Sequence, residues 1–182
     1  MNSDLKKDLY RYCGSESRKK LWQTLLLHPG ARFMFLYRMC NKYTSNHIFG
    51  LFFRIWMRFL CMRTNVEIPH ATILKSGLYF GHFKNIVINQ NVVIGENCNI
   101  MQGVTIGNES RGKRKGSPVI GNKVLIGPNS VVVGKIIIGN NVLIGPLTLV
   151  NCDIPDNSIV LGSPGKIVSS KGSEGYIKKV LN

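Results

Sequence analysis

Acidic residues are what this sequence most lacks: 9 Asp plus Glu stand against 24 Lys plus Arg, a formal charge of +15 over 182 residues. That imbalance points to anionic partners, whether nucleic acid, membrane lipid or a phosphorylated small molecule. The five cysteines, Cys13, Cys40, Cys61, Cys98 and Cys152, include no CxxC pair and leave an odd thiol. Free thiols in a reducing, cytoplasmic setting are expected rather than a disulfide frame. No cluster of His, Cys or carboxylates has ligand spacing, so no metal is implied. The opening residues hold no apolar stretch long enough for a signal-peptide core. The most apolar segment, Ile48 to Cys61, carries Arg54 and Arg58 and is only about half of a membrane span. It reads as a buried or interfacial helix. The whole chain is 44% hydrophobic and 18% charged, which excludes disordered and collagen-like chains. The length suits one well-buried core and falls short of two ordinary domains with a linker.

The pattern changes near residue 65. Before it, Trp22, Leu25 and Leu26, then Phe33, Leu36 and Tyr37, then Leu51, Ile55, Phe59 and Leu60 keep helical spacing. Pro29 and Gly30 separate the first run from the second, and Asn46 is a candidate cap for the third. Trp22 and Trp56 are read as core residues. Residues 1–65 form a helical segment with 12 basic minus 3 acidic residues, or +9.

From Val66 onward helical spacing vanishes and a step of six takes over. Ile68, Leu74 and Phe80 keep it, then Ile88, Ile94, Ile100 and Ile106, then Ile120, Ile126, Val132, Ile138, Ile144 and Val150. Glycine follows the aliphatic at Gly95, Gly107, Gly121, Gly127, Gly139 and Gly145. Six suits neither a helix nor a hairpin ladder. It suits a short strand and a tight turn repeated around a coil, with glycine or asparagine taking φ > 0 at the corners. Thirteen such aliphatics predict roughly four three-sided coils. The step breaks twice, each time by two extra residues: at Gly81-His82-Phe83-Lys84-Asn85, and between Ile106 and Ile120. A stacked coil has no interior room, so both insertions must bulge outward, where such folds place their chemistry.

These residues resemble a known family, the hexapeptide-repeat acyltransferases, in the serine acetyltransferase-like branch. The likeness is carried by Ile68-Pro69-His70-Ala71-Thr72, by Gly77 to His82, by Gly103 to Gly107, and by the ending Ile154 to Ser158 through Gly162-Ser163-Pro164-Gly165-Lys166, usually written GxPAK. His28-Pro29-Gly30 and Leu36-Tyr37-Arg38 resemble the branch's helical prelude. The resemblance implies a mainly β fold: a left-handed parallel β-helix over 66–168, an N-terminal α-helical segment before it and a C-terminal tail, 169–182, after it. It also implies a homotrimer and acetyl-CoA as acetyl donor.

It places the general base on His82. Acetyl transfer to an alcohol needs the hydroxyl proton removed as the oxygen attacks, and imidazole suits that work near neutral pH. The orienting carboxylate falls on Glu67, where the family normally carries the shorter aspartate. Relatives that use serine carry an aspartate just before the histidine and an Arg-His pair before the hexad matching Ile120. Here those positions are Gly81, Gly116 and Ser117. Without those charges, and with glycine opening space beside the base, the expected acceptor is a saccharide hydroxyl in capsule or exopolysaccharide assembly. Gly81, Asn85, Arg111 and Lys113 are the acceptor-side candidates. Coenzyme A is expected along a groove touching Gly107, Pro128, Gly145 and Pro146, with Lys166 near its phosphates; Pro128 and Pro146 offer no amide proton. The basic run Arg111 to Lys115 suits a sugar nucleotide, a lipid-linked pyrophosphate or coenzyme A phosphates.

Two other readings stand beside this one. One is a serine O-acetyltransferase. The other is a non-catalytic basic scaffold that binds membrane or nucleic acid through the +9 segment; no known nucleic-acid module is present. Peripheral membrane contact through the basic helices is a further expectation. Val131, Val133, Leu125, Leu143 and Leu147, outside the six-step series, are expected to meet partner chains.

Overall fold

The computed structural model describes residues 3–43 and 47–181. Four helices come first: α1 (Ser3–Cys13), α2 (Arg18–Leu27), α3 (Pro29–Lys42) and α4 (Ile48–Thr64). Pro29 opens α3, where its missing N–H costs nothing. Asn46 lies outside the described residues; the α4 cap is His47, whose Nδ1 accepts the Phe49 N–H at 3.2 Å. Asn65, in the left-handed region, ends α4.

The chain then winds into coils. The first carries β1 (Ile73–Leu74) and β2 (Tyr79–Gly81), the second β3 (Val87–Ile88), β4 (Val93–Ile94) and β5 (Asn99–Met101). The third carries β6 (Thr105–Gly107), β7 (Val119–Ile120) and β8 (Leu125–Ile126), the fourth β9 (Val131–Val133), β10 (Ile137–Ile138) and β11 (Leu143–Ile144). The fifth holds β12 (Leu149–Val150) and β13 (Ile159–Leu161), after which β14 (Lys166–Ser169) turns back antiparallel. Every other pairing is parallel, in three sheets: β1-β4-β7-β10 is the first face, β2-β5-β8-β11-β13 the second and β3-β6-β9-β12 the third. Single bridges from Glu67 to Val87 and from Ile138 to Ile154 extend the third and first faces. The coil count is therefore five, not four, because Ile154 and Val160 continue the inward series after a shortened step.

All thirteen aliphatics of the six-step series are buried with Ile154 and Val160, and two residues before many of them Leu78, Ile86, Val92, Cys98, Val104, Val124, Ile136 and Val142 are buried as well. The glycines that follow them act differently from the expectation. None of Gly95, Gly107, Gly121, Gly127, Gly139 and Gly145 has positive φ. The left-handed corners fall two residues later, on Asn97, Lys123, Asn129, Asn141 and Leu147. Most of these glycines are needed for proximity instead: a Cβ on Gly121 would sit 2.6 Å from the Gly139 carbonyl oxygen of the next coil. Backbone cannot step aside as a side chain does. Gly121→Ala is expected to destabilise by about 3 kcal/mol, read as a lowered midpoint in urea with the slope unchanged.

The helices join the coil through α3. Phe33 packs edge-on against Phe80, with ring centroids 5.6 Å apart, and against Phe83 at 5.1 Å. Tyr37 Oη donates to the Thr72 carbonyl at 2.6 Å and accepts the Leu74 N–H at 3.1 Å. Buried Arg11 of α1 donates to the carbonyls of Gly77 and Lys178 and to Asn99 Oδ1, fastening the C-terminal segment as well.

Two packing expectations are corrected. Trp22 and Trp56 are 62% and 44% exposed, not core residues. Only Leu21 and Thr24 of α2, and Gly50 and Met57 of α4, are buried. Helical spacing marks apolar residues but not which stripe a neighbour covers, and here the covered stripe misses both indoles. Leu143, only 8% exposed, is covered within its own chain and is closed to partners. The outward residues Ile73, Val119 and Ile137 of the first face are exposed in its place. Among the described residues no helix is long and apolar enough to cross a membrane.

The thiols of Cys98 and Cys61 are pushed up by burial, to about 12 and about 11. Cys98 Sγ also donates to the Gly121 carbonyl at 3.2 Å. In the native protein at pH 8, Cys98 should stay unlabelled by iodoacetamide and become labelled only after unfolding, as peptide mass spectrometry will show.

Candidate active site

His82 follows β2 at the edge between the second and third faces. The two-residue insertion is pinned from inside: Phe80 and Phe83 turn into the core, their rings 5.1 Å apart. His82 is thereby left outside, exposed, with φ +53°. A non-glycine residue there carries about 1–2 kcal/mol of strain, a cost His82 shares with nine other described non-glycine residues at positive φ, Lys123 and Leu147 among them. The segment is tied down by the Asn85 N–H donating to the Thr64 carbonyl and the Gly103 N–H to the Lys84 carbonyl, at 3.0 and 3.1 Å.

Glu67 arrives at the same edge from below. Its N–H donates to the Ile86 carbonyl and its carbonyl accepts the Ile88 N–H, both at 2.8 Å. Backbone pairing thus brings Glu67 beside the segment that carries His82. Among the described residues no hydrogen bond or ion pair joins their side chains. A groove of about 640 Å³ runs between α4 and this region, with Glu67, His70, Arg54 and Arg58 on its walls.

Gly81 departs from the sequence reading. It does not open space beside His82: a Cβ there would meet Met101 Sδ at 2.7 Å and Cε at 2.8 Å. Gly81 and Met101 are register partners in β2 and β5, so the methionine thioether fills the place that a side chain at 81 would take. Sequence reasoning missed Met101. The signal was available, since Phe80 and Ile100 occupy the same side of successive coils and their following residues must stack.

The remaining candidates divide between two edges. Asn85, with φ +54°, forms a corner of the His82 edge. Above it, the Asn129 N–H donates to the Gln102 carbonyl and the Leu147 N–H to the Pro128 carbonyl, each spanning one coil. Pro128, Gly145 and Pro146 lie on this edge, and Lys166 opens β14 near its top, exposed. Gly107 does not join them: it closes β6 at the far side of the third face. Arg111 and Lys113 lie beyond it, on the loop leading to β7 at the opposite edge. Within one chain, therefore, His82 and the basic loop do not form a single cluster. The exposed side chains that crown the loop stand on a narrow stem, closed by Glu109 and Gly116 exchanging two backbone hydrogen bonds of 2.9 Å.

Residues 117–152 match the model of the bacterial transferase hexapeptide family, six repeats. A serine acetyltransferase of Bacillus pumilus is 30% identical over 160 residues, covering 88% of this chain and 72% of that protein. Among solved structures, serine acetyltransferase isoform 3 of Entamoeba histolytica, in complex with cysteine, superposes with a TM-score of 0.70 at 29% identity; the match covers 91% of this chain and 60% of that one. A serine acetyltransferase in complex with CoA gives a TM-score of 0.73 at 26% identity, covering 90% and 68%. The chain thus spans about three fifths of the amoebic enzyme's length. Inward hexads, a left-handed parallel β-helix preceded by helices, and these shared lengths identify the chain as a member of the serine acetyltransferase family of hexapeptide-repeat acyltransferases.

Proposed function

We propose that this protein is an O-acetyltransferase that uses acetyl-CoA and acts on a serine hydroxyl, with His82 as general base. His82 takes the proton of the attacking hydroxyl and returns it to the departing sulfur, so that ester forms as thioester breaks and no proton is left over. A carboxylate at Glu67 would hold the ring's tautomer and favour the transient imidazolium. The observation that carries the reading is the exposed His82 at a braced outward bulge in a chain of this family.

The donor's fit is supported by the His82 edge. From His82, after β2, to Lys166 in β14 it climbs five strand steps, about 24 Å at the usual strand spacing, a span that an extended pantetheine arm and its pyrophosphate can cover. Pro128 and Pro146 lie along the edge beside the exposed Leu147, and the exposed Lys166 ammonium offers phosphate a partner. Acetyl-CoA supplies the activated acyl group; the protein's part is to position the alcohol and move one proton.

Serine is the acceptor toward which the relatives point, and none of those described here supports a saccharide. One observation favours a second reading, a neutral saccharide hydroxyl: Gly81, Gly116 and Ser117 carry no charge to grip a free amino acid. The space beside the base is taken up by the flexible tip of Met101. A thiol-release assay separates the two. Serine-dependent release of free coenzyme A, absent with monosaccharides and nucleotide sugars, is expected; release only with saccharides would transfer the assignment to the second reading.

A further inference from the structure

We infer that the outward side of α4 is a membrane-docking surface, on which the helix lies flat against an anionic lipid bilayer. This goes beyond acetyl transfer and does not depend on which alcohol is acetylated. Ile48, Phe52, Ile55, Phe59 and Met62 are 55–78% exposed, and Trp56 stands beside them at 44%. At the helical repeat these six share a stripe about 120° wide and about 21 Å long. The buried residues of α4, Gly50 and Met57, fall on the opposite side. A surface helix of a folded protein turns one apolar stripe to the core and a polar one to water. This helix is apolar on both sides, and only the inner one is covered. A contiguous exposed stripe of this extent marks an interaction surface.

The charge around the stripe selects its occupant. From Ser17 to Val66 the chain carries nine Lys plus Arg and no Asp or Glu. Arg54 and Arg58 follow one flank of the stripe, and the Arg63 guanidinium lies over the Phe59 ring, 5.4 Å from its centroid. Among the described residues the ion pairs are Lys6–Glu16 and Arg38–Asp8, so none of the three α4 arginines has a carboxylate partner. A second copy laid face to face on this helix would set arginine against arginine, with no acid on either side to offset them. A bilayer of anionic lipid meets both demands: its hydrocarbon boundary takes the rings and aliphatic groups, and its phosphates take the guanidinium groups, which reach them along their own apolar stems. Among the described residues no helix is long and apolar enough to cross, so α4 lies in the interface rather than through it. Thr64, the last residue of α4, accepts the Asn85 N–H of the His82 bulge at 3.0 Å. A docked α4 therefore holds the candidate active site at the membrane surface.

Co-sedimentation of the full chain with lipid vesicles is the test. Vesicles of phosphatidylcholine and phosphatidylglycerol in equal parts should bind it at least tenfold more tightly than phosphatidylcholine alone, with a difference that shrinks as salt is raised. The triple variant Phe52→Ser, Ile55→Ser, Phe59→Ser removes no charge and should still weaken binding to the mixed vesicles at least tenfold. Adsorption through scattered surface cations, the 111–115 loop included, would leave that variant unaffected. All three side chains are exposed, so the variant should keep its Tm. Trp56 supplies a second reading with the stripe intact: in Trp22→Phe its emission should shift to the blue on vesicle binding and be quenched by lipids brominated in the acyl chain. No vesicle binding by the wild type, undiminished binding by the triple variant, or a Trp56 emission that vesicles leave unchanged overturns the proposal. A particle mass in solution that the triple variant lowers would give the stripe to a second copy and overturn it too. Because turnover is not measured, failure of acetyl transfer leaves this result intact.

Discussion

His82→Ala should retain the fold and lose about 10²–10⁴ of its acetyl-transfer rate, the usual contribution of a positioned general base. The loss is expected in kcat, with the KM for acetyl-CoA nearly unchanged, because the imidazole acts on the acceptor's proton rather than on the donor's binding. Stability should not rise, because alanine keeps the Cβ that strains φ +53°, and a β-branched residue there should be worse than alanine. His82→Gly separates the two effects: it relieves the backbone and still removes the base. A His82→Ala enzyme with full turnover, properly folded, would remove the imidazole from the mechanism.

Asp8→Ala is expected to cost about 3–5 kcal/mol, since it strands a partner in the protein interior. Asp8 is completely buried; its Oδ2 accepts from Arg38 Nε at 2.8 Å and its Oδ1 accepts the Gly77 N–H at 2.8 Å. Removing the carboxylate leaves a largely buried guanidinium with only the carbonyls of Leu74 and Lys75, and leaves a coil amide unpaired. A fall in Tm of about 10 °C follows from the size of the chain, measured at fixed protein concentration. Asp8→Ala combined with Arg38→Met should be less damaging than the sum of the two single changes, because the stranded charge is gone.

That ion pair shows where the sequence stopped being informative. The inward residues from Ile68 to Val150 could be picked out by counting in sixes, because each coil side obeys the same local rule and the rule is written into the chain. Arg38 stood out only through its likeness to a family prelude, and Asp8 not at all: their meeting depends on how α1 and α3 cross, which periodicity does not encode. The same holds for Trp22 and Trp56, where spacing was right and the covered stripe was not. The two bulges were legible as two extra residues each, and one of them bears the strained histidine. The contents of the neighbouring space were not. Absence of a side chain at Gly81 read as room, whereas the register of β2 and β5 lays Met101 across it. Glycine after each aliphatic was legible as a requirement but for the wrong reason: coils pressed backbone to backbone exclude a Cβ, while the positive φ falls on asparagine further along. Charge on the 111–115 loop was plain in the sequence, its bracing by Glu109 and Gly116 was not.

Acetylation of an alcohol at the prism edge that holds His82 is the central reaction. Its most direct test is mass spectrometry of the acceptor after incubation with acetyl-CoA and serine, run in parallel for the wild type and His82→Ala. O-acetylserine made by the wild type and nearly absent with the variant is the predicted result. No O-acetylserine from the wild type, or the same yield from both proteins, would contradict it.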